Sequence, residues 1–313
     1  MQCIKPDPML KFNPDTFITL RRQYNYDKPG EMDSAIDVLE NWIKKQEHFT
    51  KKEYSRDYLE RSIILVKGSV ERAKRQIDKI CTMRTLLPKY FEFNFAEFEE
   101  YKDKFALVLL PKLTDDNYRI LLAKFFCPSN ELNSTLYFVY FKFGVMLWEY
   151  LKNHDYCDGI IFVADYSGQN ILQAVSALNM VELHQLVSIG LQGFQLRVKN
   201  VLILSESNSV NVLVAVMKQL FPKKIADRIS VHKTAETLQE VIPKEILPSD
   251  FGGHESSVAK IRDDWLQLCK KEENVKYFNE ITKARTNEAL RQSGKFNEQH
   301  LGTPGSFRSL NVD

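Results

Sequence analysis

The sequence is poor in the signatures that announce chemistry. It has no G-x-x-x-x-G-K-[ST] loop to cradle phosphates and no G-x-G-x-x-G after a strand, so nucleotide binding has no signature here. Its five cysteines (Cys3, Cys81, Cys127, Cys157, Cys269) are scattered, odd in number and form no C-x-x-C pair. That pattern suits free thiols in a reducing compartment rather than a disulfide framework. The six histidines are equally dispersed, and no two stand at metal-ligand helical spacing, so neither a metal nor a cofactor is expected. No apolar run reaches the roughly 18 to 20 residues of a bilayer crossing. The start, MQCIKPDPML, lacks the apolar core of a secretory signal, which points to a cytoplasmic protein. A formal net charge of +2 excludes the strongly basic footprint of a general nucleic-acid binder. Attraction to an anionic surface would have to come from a local patch.

What is present describes a globular chain. Apolar residues make up 44% of the 313 and charged ones 27%, enough to bury a sizeable core. Up to about residue 95 the pattern is helical. SAIDVLENWIKKQ carries Ile36, Leu39 and Ile43 at helical spacing, with Ser34 or Asp33 as its cap. RDYLERSIILVK and SVERAKRQIDKICTMRTLL follow, the latter opened by Ser69 and closed by Pro88. These short helices read as a small bundle. Beyond about residue 105 the character changes. FALVLLP (closed by Pro111) and YRILLAKFF read as strands, and STLYFVYFKFGVMLWEYLKNH as a buried helix. DGIIFVADYSG is apolar on both faces and reads as a central strand, with VKNVLILSES and RISVHK as further strands and helical segments between them. Alternation of strand and helix argues for an α/β fold with a largely parallel sheet flanked by helices. VAKIRDDWLQLCKKEENVKYFNEITKA reads as one charged amphipathic helix, followed by a polar arm.

The search for catalysis mostly returns absences. ADYSG places Ser167 at a strand end, but a nucleophile elbow needs small residues at G-x-S-x-G spacing, and Asp165 and Tyr166 stand there instead. Asp165 reads as a strand-end residue bonding to nearby backbone. Glu92, Glu97, Glu99 and Glu100 read as solvated surface. A binding protein, not an enzyme, is the better default. Phe138, Tyr140, Phe141, Phe143 and Trp148 crowd one segment, and Phe162, Leu202 and Leu204 lie on the central strands. Most of these are core; a minority could line an apolar cavity of several hundred Å³.

The segment NVLVAVMKQLFPKKIADRI (211–229) is the sharpest question. As a helix, Val212, Val216 and Leu220 share one face, with Leu213, Met217 and Phe221 beside them, and a basic cluster follows. From these residues alone a buried core helix is favoured over a movable lid.

Several stretches carry a resemblance that shifts this balance: PKLTDDNYRI (111–120), DGIIFVADYSG (158–168), GFQLRVKNVLIL (193–204), FPKKIADRISVH (221–232), IPKEILPSDFGG (242–253) and GSFRSLNVD (305–313). Together they resemble the CRAL-TRIO (yeast phosphatidylinositol-transfer-protein-like) lipid-binding family, in particular its insect members similar to α-tocopherol transfer protein or to clavesin. NWIKKQEHF (41–49) and VERAKRQIDKICTMRTLLP (70–88) resemble the family's N-terminal helical domain. The resemblance implies an N-terminal helical domain at 1–95, a lipid-binding domain at 96–255 and a C-terminal helix with a surface arm at 256–313. It implies a soluble carrier holding one hydrophobic lipid (a tocopherol, retinoid, carotenoid, isoprenoid or phospholipid) beneath a gate helix that opens at a membrane. The expected pocket and gate residues are Phe138, Phe141, Phe162, Ala164, Leu202, Val212, Leu213, Val216, Met217, Leu220 and Phe221. The resemblance also places phosphoinositide-contacting residues at Arg197, Lys224 and Arg228, with Lys199 and Lys218 nearby. SIILV (62–66) and SESNSVN (205–211) depart from the family's usual elements, so ligand choice does not carry across. The alternative is a trafficking adaptor that reads phosphoinositides and moves no lipid.

Overall fold

The computed structural model describes residues 7–291. Cys3, His300 and the tail 305–313 lie outside the described residues. The N-terminal part is helical: α1 (Thr16–Gln23), α2 (Glu31–Lys45), α3 (Arg56–Leu65), α4 (Val70–Leu86) and α5 (Phe95–Tyr101). Local chemistry sets several of their ends. Ser55 Oγ accepts the Tyr58 N–H at 3.2 Å and Ser69 Oγ accepts the Arg72 N–H at 3.3 Å, each satisfying a first-turn donor that has no intrahelical partner. α2 begins three residues earlier than its periodicity suggested. Gly30, at a φ of 83°, takes the cap position, and Ser34, expected as the cap, donates its hydroxyl to the Gly30 carbonyl at 2.9 Å.

Strands β1 (Phe105–Leu113) and β2 (Tyr118–Phe125) form an antiparallel pair. Then come α6 (Ser134–His154), β3 (Gly159–Asp165), α7 (Ile171–Ser176), α8 (Met180–Ser188), β4 (Val198–Leu204), α9 (Val210–Leu220), α10 (Lys223–Ala226), β5 (Ile229–His232) and α11 (Ala235–Gln239). The sheet order is β1-β2-β3-β4-β5, with β2 to β5 parallel and β3 central. The fold is α/β. β1 does not stop at Pro111; it continues to Leu113 through a register shift after Leu109, where a proline without an N–H breaks the ladder least.

The charged segment expected as one helix is two, α12 (Val258–Cys269) and α13 (Glu272–Ile281). Lys271 is extended, and Asn274 Nδ2 donates to the Leu268 carbonyl at 2.8 Å, so a side chain takes the place of the next helical N–H. α12 packs against β1, and α11 against β4 and β5.

One continuous apolar cluster joins the N-terminal helices to the sheet and to α12 and α13. Two pairs of opposite charges are buried in this interior. Arg84 meets Glu149 at 2.5 Å, and Arg119 grips Asp155 through two contacts of 2.8 Å; all four side chains are fully buried. Cys81, Cys127, Cys157 and Cys269 are free and buried.

Candidate functional site

Topology decides which side chains meet. β2 to β5 are consecutive parallel neighbours, and right-handed crossovers along such a run put the connecting helices on one face. Between that helical layer and the sheet lies a cavity of about 160 Å³.

The floor follows from strand register. Leu121, Phe162 and Val201 stand side by side across three strands, and in the next row Ala123 faces Ala164. Two adjacent alanines leave space that larger residues would fill. One wall is α6, which presents Tyr137, Tyr140, Phe141, Gly144 and Trp148 at intervals of three and four residues. Gly144 lets α6 come close to the sheet, since a Cβ there would lie 2.9 Å from Leu107 Cδ2. The far wall is Leu183, Leu186 and Val187 of α8, continued by Gly190 and Leu191 in a single π-helical turn, Ile189–Gly193. Such turns are rare and concentrate at functional sites. The roof is Leu213, Val216, Met217 and Leu220 of α9, then Phe221.

Polar groups in the lining are few. Tyr137 donates its hydroxyl to the Ala174 carbonyl at 3.1 Å. Asp165 meets Lys124 Nζ at 2.7 Å and accepts the Ser167 N–H at 2.9 Å, the local backbone role expected of a strand-end aspartate. Burial pushes the Tyr166 hydroxyl up to about 12 and raises those of Tyr137 and Tyr140 as well, so all three stay protonated near neutrality. Among the described residues, no group of three or more His, Cys, Asp or Glu is placed to hold a metal ion.

The cavity gathers Phe141, Phe162, Ala164, Leu213, Val216, Met217, Leu220 and Phe221 from the set expected as pocket and gate. Three others stand elsewhere. Leu202 pairs with Val163 in the row between the lining rows, so the strand's alternation turns it to the opposite face. Val212 is 42% exposed on the outside of α9. Phe138 points away from the cavity, its ring 5.2 Å from that of Tyr90 and beneath Lys89. Stepping by helical spacing from Phe141 finds Tyr137, Gly144 and Trp148, the signal that was there to be read. Leu183, Leu186 and Val187 had no comparable mark.

The basic set also divides. Arg197 is committed inward: its guanidinium meets Asp158 Oδ1 at 2.7 Å and Oδ2 at 3.1 Å and bonds to Tyr24. Arg228 is half-buried and donates to the Val198 carbonyl at 2.7 Å. Lys199 is exposed, with its ammonium 5.1 Å from the centre of the Tyr118 ring. Lys218 and Lys224 are exposed, as is Lys223 between them.

Compared with known proteins, residues 107–253 match the family described as the CRAL/TRIO domain. The protein named "Alpha-tocopherol transfer protein-like" from Mus musculus is 22% identical over 269 residues, spanning 84% of this chain and 77% of its own length. The Homo sapiens protein of that name is 27% identical over 122 residues, 39% of this chain and 35% of its own. Among solved structures, that of Sfh5 is similar with a TM-score of 0.47 at 11% identity, covering 85% of this chain and 100% of Sfh5.

Proposed function

We propose that the chain, whose residues 107–253 match the CRAL/TRIO domain family, is a cytoplasmic carrier that encloses one hydrophobic lipid and exchanges it at membranes, without catalysis. The observation that carries this reading is the apolar cavity roofed by a loosely held helix. Of α9's eleven residues only Val210 and Leu213 are buried, yet four of its side chains face the cavity. A roof anchored so lightly opens at low cost. The free volume of about 160 Å³ is below the roughly 300–1,000 Å³ of sites that enclose drug-sized ligands. Admitting a long-chain lipid therefore requires the roof to move outward. Once open, the same apolar face is suited to the interface of a bilayer.

Lys218, Lys223 and Lys224 extend from the end of α9 into α10 and supply the membrane contact in this reading. Arg197 does not contribute, because Asp158 holds it. Each exposed cation near an anionic surface contributes about 1 kcal/mol, so converting the three lysines to alanine weakens attachment to phosphoinositide vesicles by about 3 kcal/mol at low salt. Co-sedimentation measures this, and equal binding by wild type and variant removes the basic patch from the account. The carrier reading is tested by following a fluorescent hydrophobic lipid from donor to acceptor vesicles. Acceleration in proportion to protein concentration is expected. Vesicle binding with no transfer would identify an adaptor instead.

A further inference from the structure

Sequence alone offered Ser167 as the serine to weigh as a nucleophile, but the serine that meets a histidine is Ser230. Both partners stand on β5, which ends the sheet, and residues two apart on a strand point to one face. Ser230 pairs with Leu202 and His232 with Leu204. Leu202 looks away from the cavity, so the serine and the histidine project from that same far side of the sheet. Ser230 is exposed and His232 half-buried.

The surrounding hydrogen bonds fix which ring nitrogen is basic. His232 Nδ1 lies 3.1 Å from the Thr237 carbonyl and 3.2 Å from Thr237 Oγ1. The carbonyl can only accept, and the Thr237 hydroxyl spends its own proton on the Thr234 carbonyl at 2.7 Å. In the neutral ring Nδ1 therefore carries the hydrogen, and Nε2 presents a lone pair. Ser230 Oγ, 3.0 Å from Nε2, donates its proton to that lone pair. Nucleophile, base and orienting group thus stand in the order that covalent chemistry uses. Two features limit what they can attack. The orienting group is uncharged, so it holds the imidazole without stabilising an imidazolium as a carboxylate would. Ser230 is exposed, so a developing oxyanion is left to solvent. Such a pair suits an acyl group on a good leaving group, a thioester, over an ordinary ester or an amide.

We propose that Ser230 is an acyl-acceptor site for thioesters, with His232 as its base. Ser230 Oγ forms a bond to the thioester carbonyl carbon while His232 Nε2 takes the hydroxyl proton. The carbon–sulfur bond then breaks, and His232 returns the proton to the departing thiolate. The products are a serine ester and a free thiol, and nothing is oxidised or reduced. The acyl group stays on the chain, so this is a modification that occurs once per molecule. It lies on the face of the sheet away from the cavity and is independent of any cargo.

The full-length protein is incubated with a small thioester, S-butyryl-N-acetylcysteamine, and the adducts are followed by peptide mapping with mass spectrometry. Treatment with hydroxylamine separates serine esters, which it cleaves, from lysine amides, which it does not. Ser230 is expected to gain a hydroxylamine-labile butyryl group about a hundredfold faster than Ser167, an exposed serine of the same molecule, as general-base assistance provides. The ratio is expected to fall to about one when the protein is unfolded in urea, since the pairing is then lost. His232→Ala is expected to slow the reaction at Ser230 by about the same factor, and added imidazole to restore part of it. Equal rates at Ser230 and Ser167 in the folded protein overturn the proposal, a result that requires no variant to fold. So does an unchanged rate at Ser230 in His232→Ala, or an adduct on the Ser230 peptide that resists hydroxylamine.

Discussion

Lys152 lies beneath the N-terminal helices, 1% exposed, with Nζ donating to Ser62 Oγ at 2.9 Å and Gln76 Oε1 at 2.8 Å. Glu149, one turn earlier, attracts it, but that carboxylate is already held by Arg84, while Arg84 and Arg61 repel it. Burial dominates and lowers the ammonium from its usual 10.5 to about 7. The unfolded chain then holds a proton that the folded chain has released across the window between those values. Stability therefore rises with pH through that window and is lowest below it. Thermal unfolding from about pH 7 to pH 10 is expected to show this rise, and Lys152→Met to flatten it; identical profiles for the two proteins contradict the assignment. At the same layer Arg84→Met leaves Glu149 buried and unpaired, and is expected to cost about 3–5 kcal/mol in urea unfolding. A loss below about 1 kcal/mol would mean that water reaches the site.

At the scale of the element, α9 shows how far periodicity carries an argument. A helix with apolar residues most of the way round was legible in residues 211–221, and so was the basic stretch beyond it. Which stripe faces inward was not, because Val212 and Leu213 are neighbours in sequence yet 100° apart on a helix, at about 3.6 residues per turn. The structure turns Leu213, Val216, Met217 and Leu220 to the cavity and Val212 to solvent. Val216→Glu is therefore expected to shorten the residence of a bound fluorescent lipid by about tenfold or more, since it puts a charge against apolar cargo. Val212→Glu is expected to stay within about twofold of wild type, because an exposed position tolerates a charge. The contrast is read from off-rates into excess acceptor vesicles, and equal losses in the two variants would place the gate's inner face elsewhere. Leu202 makes the same point on a strand: one residue of register moves a side chain through the sheet.

Across the whole molecule, the sequence divides near residue 95, but packing does not follow that division. Ile80 and Met83 of α4 press so closely on the turn after α8 that a Cβ at Gly193 would lie 2.8 Å from Met83 Sδ. Gln76 donates to the Gly193 carbonyl at 2.8 Å, and Arg84 neutralises a carboxylate on α6. We propose that 1–95, 96–255 and 256–313 are sequence segments rather than independent folding units. Urea unfolding followed by fluorescence and by circular dichroism is expected to give coincident single transitions. Two separated transitions would show that the helical part folds on its own.

The sequence by itself determined the alternation of strands and helices after about residue 105, the α/β class and the apolar helix over residues 211–220. Each of these is written in spacing over a few residues, through the helical repeat, the strand repeat and the residues that cap or interrupt them. The tertiary structure alone decided that Arg197 is tied to Asp158 and Tyr24, and that Leu202, Val212 and Phe138 look away from the cavity. Those outcomes depend on partners distant in the chain and on which of two possible faces is turned inward, and local periodicity is the same for both.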